Sequence, residues 1–105
     1  MSSKEQIVTK RPPMHPGEVL REEFLKPLNL SAIKLADRCR VPCTRIERIA
    51  AEETSITADT ALRLSKAFGT TPDFWLNLQS RYELLTAERM IGKDLRKIAR
   101  IEQAA

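Results

Sequence analysis

The side chains with the clearest chemical potential lie in one short stretch, between Cys43 and Arg48. Arg45 and Arg48 are three residues apart and would share one side of a helix. Guanidinium groups there can bind phosphates or guanine edges, while Ile46 and Ile49 would hold the opposite side in a core. The pattern predicts a short helix that presents basic and small polar groups to a polyanion, and solvated surface arginines are the alternative interpretation.

Elsewhere, the sequence lacks the residue combinations of a catalytic or metal site. The single histidine, His15, has no nucleophile or acid partner beside it and fits a role at the entry of a helix. Cys39 and Cys43 have no second Cys or His pair to complete a metal shell, so we expect reduced, structural thiols. A phosphate-binding glycine loop and a zinc-protease motif are both absent from the sequence. We therefore expect no enzyme, no metal, no cofactor and no small-molecule substrate.

Length and composition favour one small helical domain. The chain has 105 residues, enough for one modest core, and its 42% apolar and 30% charged residues are typical of a soluble protein. A net charge of +4 favours a polyanionic partner. The apolar stretches are too short to span a bilayer, and the polar start lacks the core of a signal peptide. We therefore expect a cytoplasmic protein that does not contact membranes.

Capping residues and apolar spacing predict five short helices. Ser31, Thr57 and Thr71 are typical N-caps, Pro72 suits a first helical position, and Gly69 suits the residue that follows a helix. The predicted helices cover residues 17–25, 32–39, 43–51, 58–68 and 72–85.

The second and third of these helices have the spacing of a helix-turn-helix. Ala36 is small where the third helix crosses closely, Val41 lies in the tight turn, and two isoleucines seat the third helix. In this motif the third helix enters the DNA major groove N-terminus first, and the start of the second helix meets the phosphate backbone. We therefore expect base contacts from Cys43, Thr44, Arg45 and Arg48, and phosphate contacts from Ser31 and Thr54.

The chain thus divides into three predicted parts. Residues 1–13, which end in two prolines, predict a flexible basic N-terminal tail. Residues 14–86 predict the helix-turn-helix DNA-binding domain. Residues 87–105 carry apolar residues at helical spacing among basic ones and predict an amphipathic C-terminal helical extension. Gly92 weakens this extension by about 1 kcal/mol relative to alanine.

Two blocks of sequence resemble the HigA (VapI-like) antitoxins. Residues 11–25 (RPPMHPGEVLREEFL) are similar to the opening typical of that family, and residues 56–82 (ITADTALRLSKAFGTTPDFWLNLQSRY) are similar to its signature. The resemblance implies an all-α, five-helix, lambda-repressor-like (Xre) helix-turn-helix domain with a C-terminal helical extension. It also implies that the chain binds operator DNA as a homodimer, represses its own operon and neutralises a HigB-like, RelE-like toxin that cleaves mRNA.

Two surfaces are candidates for the protein partners that the resemblance implies. A RelE-like toxin is expected to be basic, which favours the acidic side of the first helix, Glu18, Glu22 and Glu23, with the tail Met1 to Pro13 as the alternative. The fifth helix carries an aromatic and leucine-rich run that is a candidate dimer interface, although its tryptophan also fits a plain core role. The interface residues are Phe74, Trp75, Leu78, Tyr82 and Leu85.

The sequence departs from the HigA pattern within the DNA-binding unit. Arg40 occupies a turn position where the family usually has glycine, and residues 51–53 (Ala-Glu-Glu) replace an Asn-Gly-Lys-like stretch. Near the DNA backbone, Glu52 and Glu53 would repel phosphates. Two alternative functions therefore stay open: a stand-alone Xre-type transcriptional repressor without a toxin partner, and an antitoxin that binds its partner protein but has lost DNA binding.

Overall fold

The structure, a computed structural model, describes residues 13–102, and these residues form five helices and no strand. The predicted five-helix, all-α fold is therefore confirmed. The predicted N-terminal tail lies outside the described residues except for Pro13. The helices are α1 (Pro16–Val19, continued by a π-helical segment, Leu20–Leu25), α2 (Ala32–Cys39), α3 (Cys43–Ala50), α4 (Ala58–Phe68) and α5 (Pro72–Arg96).

Side-chain caps fix the starts of four helices. The hydroxyl oxygens of Ser31, Thr57 and Thr71 accept hydrogen bonds from backbone N–H groups three residues later, at 3.1, 3.3 and 3.1 Å. At α1 the cap is His15, whose Nδ1 accepts a hydrogen bond from the N–H of Gly17 at 2.8 Å. The helix-entry role expected of His15 is thus confirmed, and it requires a neutral imidazole because a protonated Nδ1 cannot accept.

The core lies where α1 to α4 meet the first turns of α5. Leu20, Leu35, Ile46, Leu64 and Trp75 have at most 1% of their surface exposed. The wide turn of the π-helical segment places Leu25 in the same core, five residues after Leu20. The core holds the end of α3 against α1, and the start of α3 lies at the outside of the domain.

The close approach of α1 to α3 depends on a glycine. A Cβ atom at Gly17 would collide with the carbonyl oxygen of Ile49, at the end of α3. Only a residue without a side chain fits there, so Gly17 lets the two helices pack with backbone against backbone.

The last helix differs from the sequence prediction. It does not stop near Leu85 but continues to Arg96, with non-helical dihedral angles at Ile91, beside Gly92. Residues 87–96 of the predicted extension are therefore helical, whereas residues 98–102 are not. Ile98 and Ile101 are 70% and 90% exposed, so nothing in the described chain packs against this segment to hold it as a helix.

Candidate nucleic-acid interface

Helices α2 and α3 form the predicted helix-turn-helix. The N–H of Val41 donates to the carbonyl of Ala36 at 3.0 Å, which closes the turn between the helices. Ala36 is 2% exposed, and Ile46 and Ile49 of α3 are 0% and 1% exposed. The buried side of α3 is therefore fixed, and its other side is turned toward solvent.

Arg40 takes a left-handed backbone conformation that glycine adopts most easily. Its φ of 61° and ψ of 46° lie in the left-handed region, at the C-cap of α2. A non-glycine residue there costs on the order of 1 kcal/mol, which a packed domain can absorb. The side chain of Arg40 is exposed and adds a positive charge beside the turn.

Arg63 of α4 supports this turn, and sequence reasoning missed it. Its Nη1 donates to the carbonyl oxygens of Cys39 and Arg40, at 2.8 and 3.4 Å, which satisfies the end of α2. In return the Cys39 thiol donates to the carbonyl of Arg63 at 3.7 Å. The sequence signal was the spacing of Asp59 and Arg63, four residues apart on one helix, which favours an ion pair but does not point to the turn.

The residues expected to contact bases differ in their exposure and in the hydrogen bonds that they already form. Thr44 and Arg48 are exposed, whereas Cys43 and Arg45 are half-buried. Arg45 Nη1 donates to Asp59 Oδ1 at 2.8 Å, and Arg63 Nε donates to the same oxygen at 2.7 Å. Arg45 must therefore leave Asp59, or share it, before its guanidinium can reach a base.

The pKa shifts of Asp59 and Cys43 agree with the hydrogen bonds that these side chains form. Hydrogen bonds from Arg63 and Arg45 lower the pKa of Asp59, so its carboxylate is ionised. A hydrogen bond to the Glu47 carboxylate, together with burial, raises the pKa of Cys43, so its thiol is protonated. Cys39 and Cys43 are both free, and Cys39 is buried, as expected for structural thiols.

The residues expected at phosphates lie at loop positions on the surface. Ser31 is exposed, and the start of α2 offers backbone N–H groups beside its hydroxyl. Thr54 is also exposed, and its backbone forms a hydrogen bond with His15. His15 therefore ties the loop after α3 to the start of α1.

Of the two glutamates after α3, Glu52 forms an ion pair within the described residues. Glu52 adopts a left-handed φ of 64°, and its carboxylate lies 3.1 Å from Arg21 Nη2. Arg21 also donates through Nη1 to the carbonyl of Ala50, the last residue of α3. The expected repulsion of phosphates by Glu52 is thus reduced by Arg21, a residue that sequence reasoning missed, while Glu53 is exposed.

The candidate dimer residues separate into core and surface. Trp75 is 0% exposed, and its indole N–H donates to Thr70 Oγ1 at 2.9 Å. Trp75 thus takes the core role that the sequence left open, and the dimer interface on this helix stays a prediction. Phe74 is 38% exposed, and the others, Leu78, Tyr82 and Leu85, are half-buried.

The candidate toxin surface is only partly free. The Glu22 carboxylate binds Lys26 at 2.9 Å and Arg21 at 3.0 Å, and these hydrogen bonds lower its pKa. Glu23 is exposed and Glu18 is half-buried. Within residues 13–102 there is no group of three or more metal-binding side chains, and none of the helices described could span a membrane.

Comparison with known proteins connects this geometry to a family. A helix-turn-helix family model matches residues 22–75, which include α2, α3, α4 and the turn between α2 and α3. The chain is also 53% identical to virulence-associated protein I of Dichelobacter nodosus, over 74% of this chain and 72% of that protein.

The chain belongs to the helix-turn-helix family. Within it, the resemblance to HigA antitoxins is confirmed by two solved structures. The chain is 46% identical to an addiction module antidote protein of the HigA family from Coxiella burnetii, with a TM-score of 0.81 and coverage of 88% and 100% of the two chains. It is 40% identical to the Pseudomonas aeruginosa antitoxin HigA solved with the higBA promoter, with a TM-score of 0.81 and coverage of 87% and 99%.

Proposed function

We propose that this helix-turn-helix protein is the antitoxin of a type II toxin–antitoxin module, which represses its own operon and neutralises a RelE-like, mRNA-cleaving toxin. The observation that carries the proposal is the solvent-facing side of α3, held by its buried isoleucines in a chain that resembles a HigA antitoxin solved with its promoter. DNA binding of this kind takes place in the cytoplasm.

In this proposal the exposed side of α3 recognises the operator. Arg48 and Thr44 contact base edges directly, and Cys43 lies at the first turn of the same helix. Arg45 joins them by exchanging Asp59 for a guanine or a phosphate, an exchange that the negative potential of DNA favours. Ser31 and Thr54 contact the flanking phosphates through hydroxyl and backbone groups.

We further propose that α5 forms a homodimer. The support is the apolar surface that α5 leaves exposed: Leu84 is 65%, Phe74 is 38% and Ile91 is 45% exposed. Leu78, Tyr82 and Leu85 would add to the same interface, and Trp75 would support it from behind. A symmetric dimer of this kind requires a palindromic operator with half-sites about one helical turn apart or a multiple of it.

The toxin is proposed to bind the acidic side of α1. Glu23 carries the most exposed of the three carboxylates, while Glu22 is already paired within the protein. We therefore expect Glu23 and Glu18 to attract a basic toxin, and Glu22 to contribute less. Charge reversal at Glu23 that leaves toxin association unchanged would remove this surface.

The DNA proposal is tested by fluorescence anisotropy with a fragment of the chain's own promoter and a scrambled duplex at physiological salt. Arg48→Ala is expected to weaken promoter binding by about 10- to 100-fold and to reduce the preference over scrambled DNA. Lys66→Ala, on the exposed surface of α4 and outside the proposed DNA and dimer surfaces, is the matched control and should leave binding unchanged. Equal affinity of the unmodified protein for both duplexes would contradict operator recognition and favour an antitoxin that binds only protein.

The toxin proposal is tested separately, by co-expressing the chain with a basic protein of about one hundred residues encoded next to it. Rescue of growth from that protein would support the antitoxin function. Normal operator binding without such rescue would favour the stand-alone repressor.

A further inference from the structure

A groove of about 610 Å³ lies between the loop after α1, helix α2 and helix α4. None of the residues proposed to contact DNA lines it. Its floor is apolar and includes Leu35 and Cys39, which are 1% and 6% exposed, together with half-buried Leu30 and Phe68. Leu28 forms one lip of the groove and is 59% exposed.

The rim of this groove is positively charged. Arg38, Arg40, Arg63 and Lys66 line it, and no aspartate or glutamate does. Arg63 is occupied by Asp59 and by the carbonyls at the end of α2. Among the described residues, Arg38, Arg40 and Lys66 form no ion pair, so three cations face the groove with their charges unbalanced.

An apolar floor under a basic rim selects ligands that have both an apolar body and an acidic group. The volume lies within the range of small-molecule sites, about 300–1,000 Å³. The DNA backbone has no apolar part to cover Leu35 and Phe68, and a basic toxin would be repelled by the rim. An acid group beside Arg38 or Lys66 would be attracted more strongly than in water, because the apolar floor lowers the local dielectric.

We propose that this groove binds a small amphiphilic anion, with its acid group at Arg38, Arg40 and Lys66 and its apolar body against Leu30, Leu35 and Phe68. The ligand is bound and not converted, so the proposal adds no substrate to the function. It adds a ligand site on the side of α2 that is distinct from the operator-binding face.

The probe is 2-naphthoate, an aromatic carboxylate of suitable size, titrated into ¹⁵N-labelled full-length protein and followed by two-dimensional NMR. Shifts are expected for the amides of residues 38–40 and 66–68. The uncharged analogue 2-naphthamide should bind at least several-fold more weakly, because it lacks the charge that the rim selects. Shifts confined to residues 84–96, the exposed apolar end of α5, would overturn the proposal, as would equal binding of the two probes.

Three variants locate the charge requirement. Arg38→Gln and Lys66→Gln should each weaken naphthoate binding about two- to five-fold, as expected for a single partly exposed ion pair. Lys34→Gln removes an exposed charge from α2 outside the groove and should leave binding unchanged. An equal loss in Lys34→Gln would show only general charge attraction, and displacement of naphthoate by a scrambled DNA duplex would assign the groove to the DNA surface. Either result would overturn the proposal.

Discussion

Helix α3 and the last third of α5 are both amphipathic, yet the apolar side chains of α3 are buried and those at the end of α5 are exposed. Ile46 and Ile49 of α3 are 0% and 1% exposed, whereas Met90 and Ile91 of α5 are 80% and 45% exposed. The difference is that the apolar side of α3 is buried against other helices, whereas the apolar residues of α5 beyond residue 86 stay largely exposed. Apolar spacing therefore indicates which side of a helix is available for burial, but a partner decides whether burial happens.

The first turn of α5 shows the same contrast between a buried and an exposed side within one helix. Trp75 is buried and contacts Phe24 with ring centroids 5.0 Å apart, while the adjacent Phe74 is 38% exposed. The same helix thus contributes to the core with one side and to the free surface with the other. Variants at Trp75 should change the stability of the single copy, whereas variants at Phe74 should mainly change its association with a second copy.

The largest effect is expected from Trp75→Ala. Removing a fully buried indole should lower the free energy of unfolding by about 4 kcal/mol, because it leaves a cavity and an unpaired Thr70 hydroxyl. The measurement is urea denaturation followed by circular dichroism at low protein concentration. Phe74→Ala is the control and should lower stability by about 1 kcal/mol or less. Similar losses in both variants would contradict the division into core and surface.

Gly17 and Gly92 allow a second comparison between the packed helices and the exposed end of α5. Gly17→Ala should destabilise the fold by about 2–3 kcal/mol, because the added methyl collides with the Ile49 carbonyl and forces α1 away from α3. Gly92→Ala has room, since the nearest atom is Arg96 Nη1 at 3.9 Å, and should stabilise α5 by up to about 1 kcal/mol. Opposite signs in urea denaturation are expected, and a tolerated Gly17→Ala would show that α1 and α3 do not pack this closely.

A smaller effect is expected at the support of the helix-turn-helix. Arg63→Gln should lower stability by about 1 kcal/mol, because the carbonyls at the end of α2 lose their donor. Asp59→Asn breaks the ion pairs but leaves Arg63 bonded to the turn, so it should leave the hydrogen-exchange rate of the Val41 amide unchanged, whereas Arg63→Gln should raise it. Equal acceleration of that exchange in both variants would mean that the ion pair, and not the carbonyl contact, holds the turn.

The smallest effect is expected from pH. Burial is the main cause that lowers the pKa of His15 in the folded protein, against the raising effects of Glu52 and the Thr54 backbone. As pH falls below about 6.5, the unfolded chain takes up the proton first, so stability falls with pH until the folded imidazole is protonated as well. His15→Asn keeps a capping acceptor without this titration and should show a smaller stability change between pH 7.5 and 5.5. An identical change in both proteins would assign the effect to other groups.

Local rules in the sequence determined the helix starts and the buried side of each helix. Ser31, Thr57 and Thr71 act within three residues of themselves, and Ile46 and Ile49 repeat at helical spacing, so neither signal needs distant residues. The resemblance to HigA antitoxins supplied the fold, because two long blocks of residues matched the family in order.

Only the tertiary structure decided which expected site residues are available. Asp59 holds Arg45, Arg21 offsets Glu52, and Trp75 faces the core. Each of these contacts joins residues that are far apart along the chain. The end of α5 depends on packing for the same reason, because the helical pattern continues to Ile101 while the helix itself ends at Arg96. Spacing along one helix fixes which residues share a side, but the partners of that side come from distant parts of the chain, and their positions depend on how the helices pack.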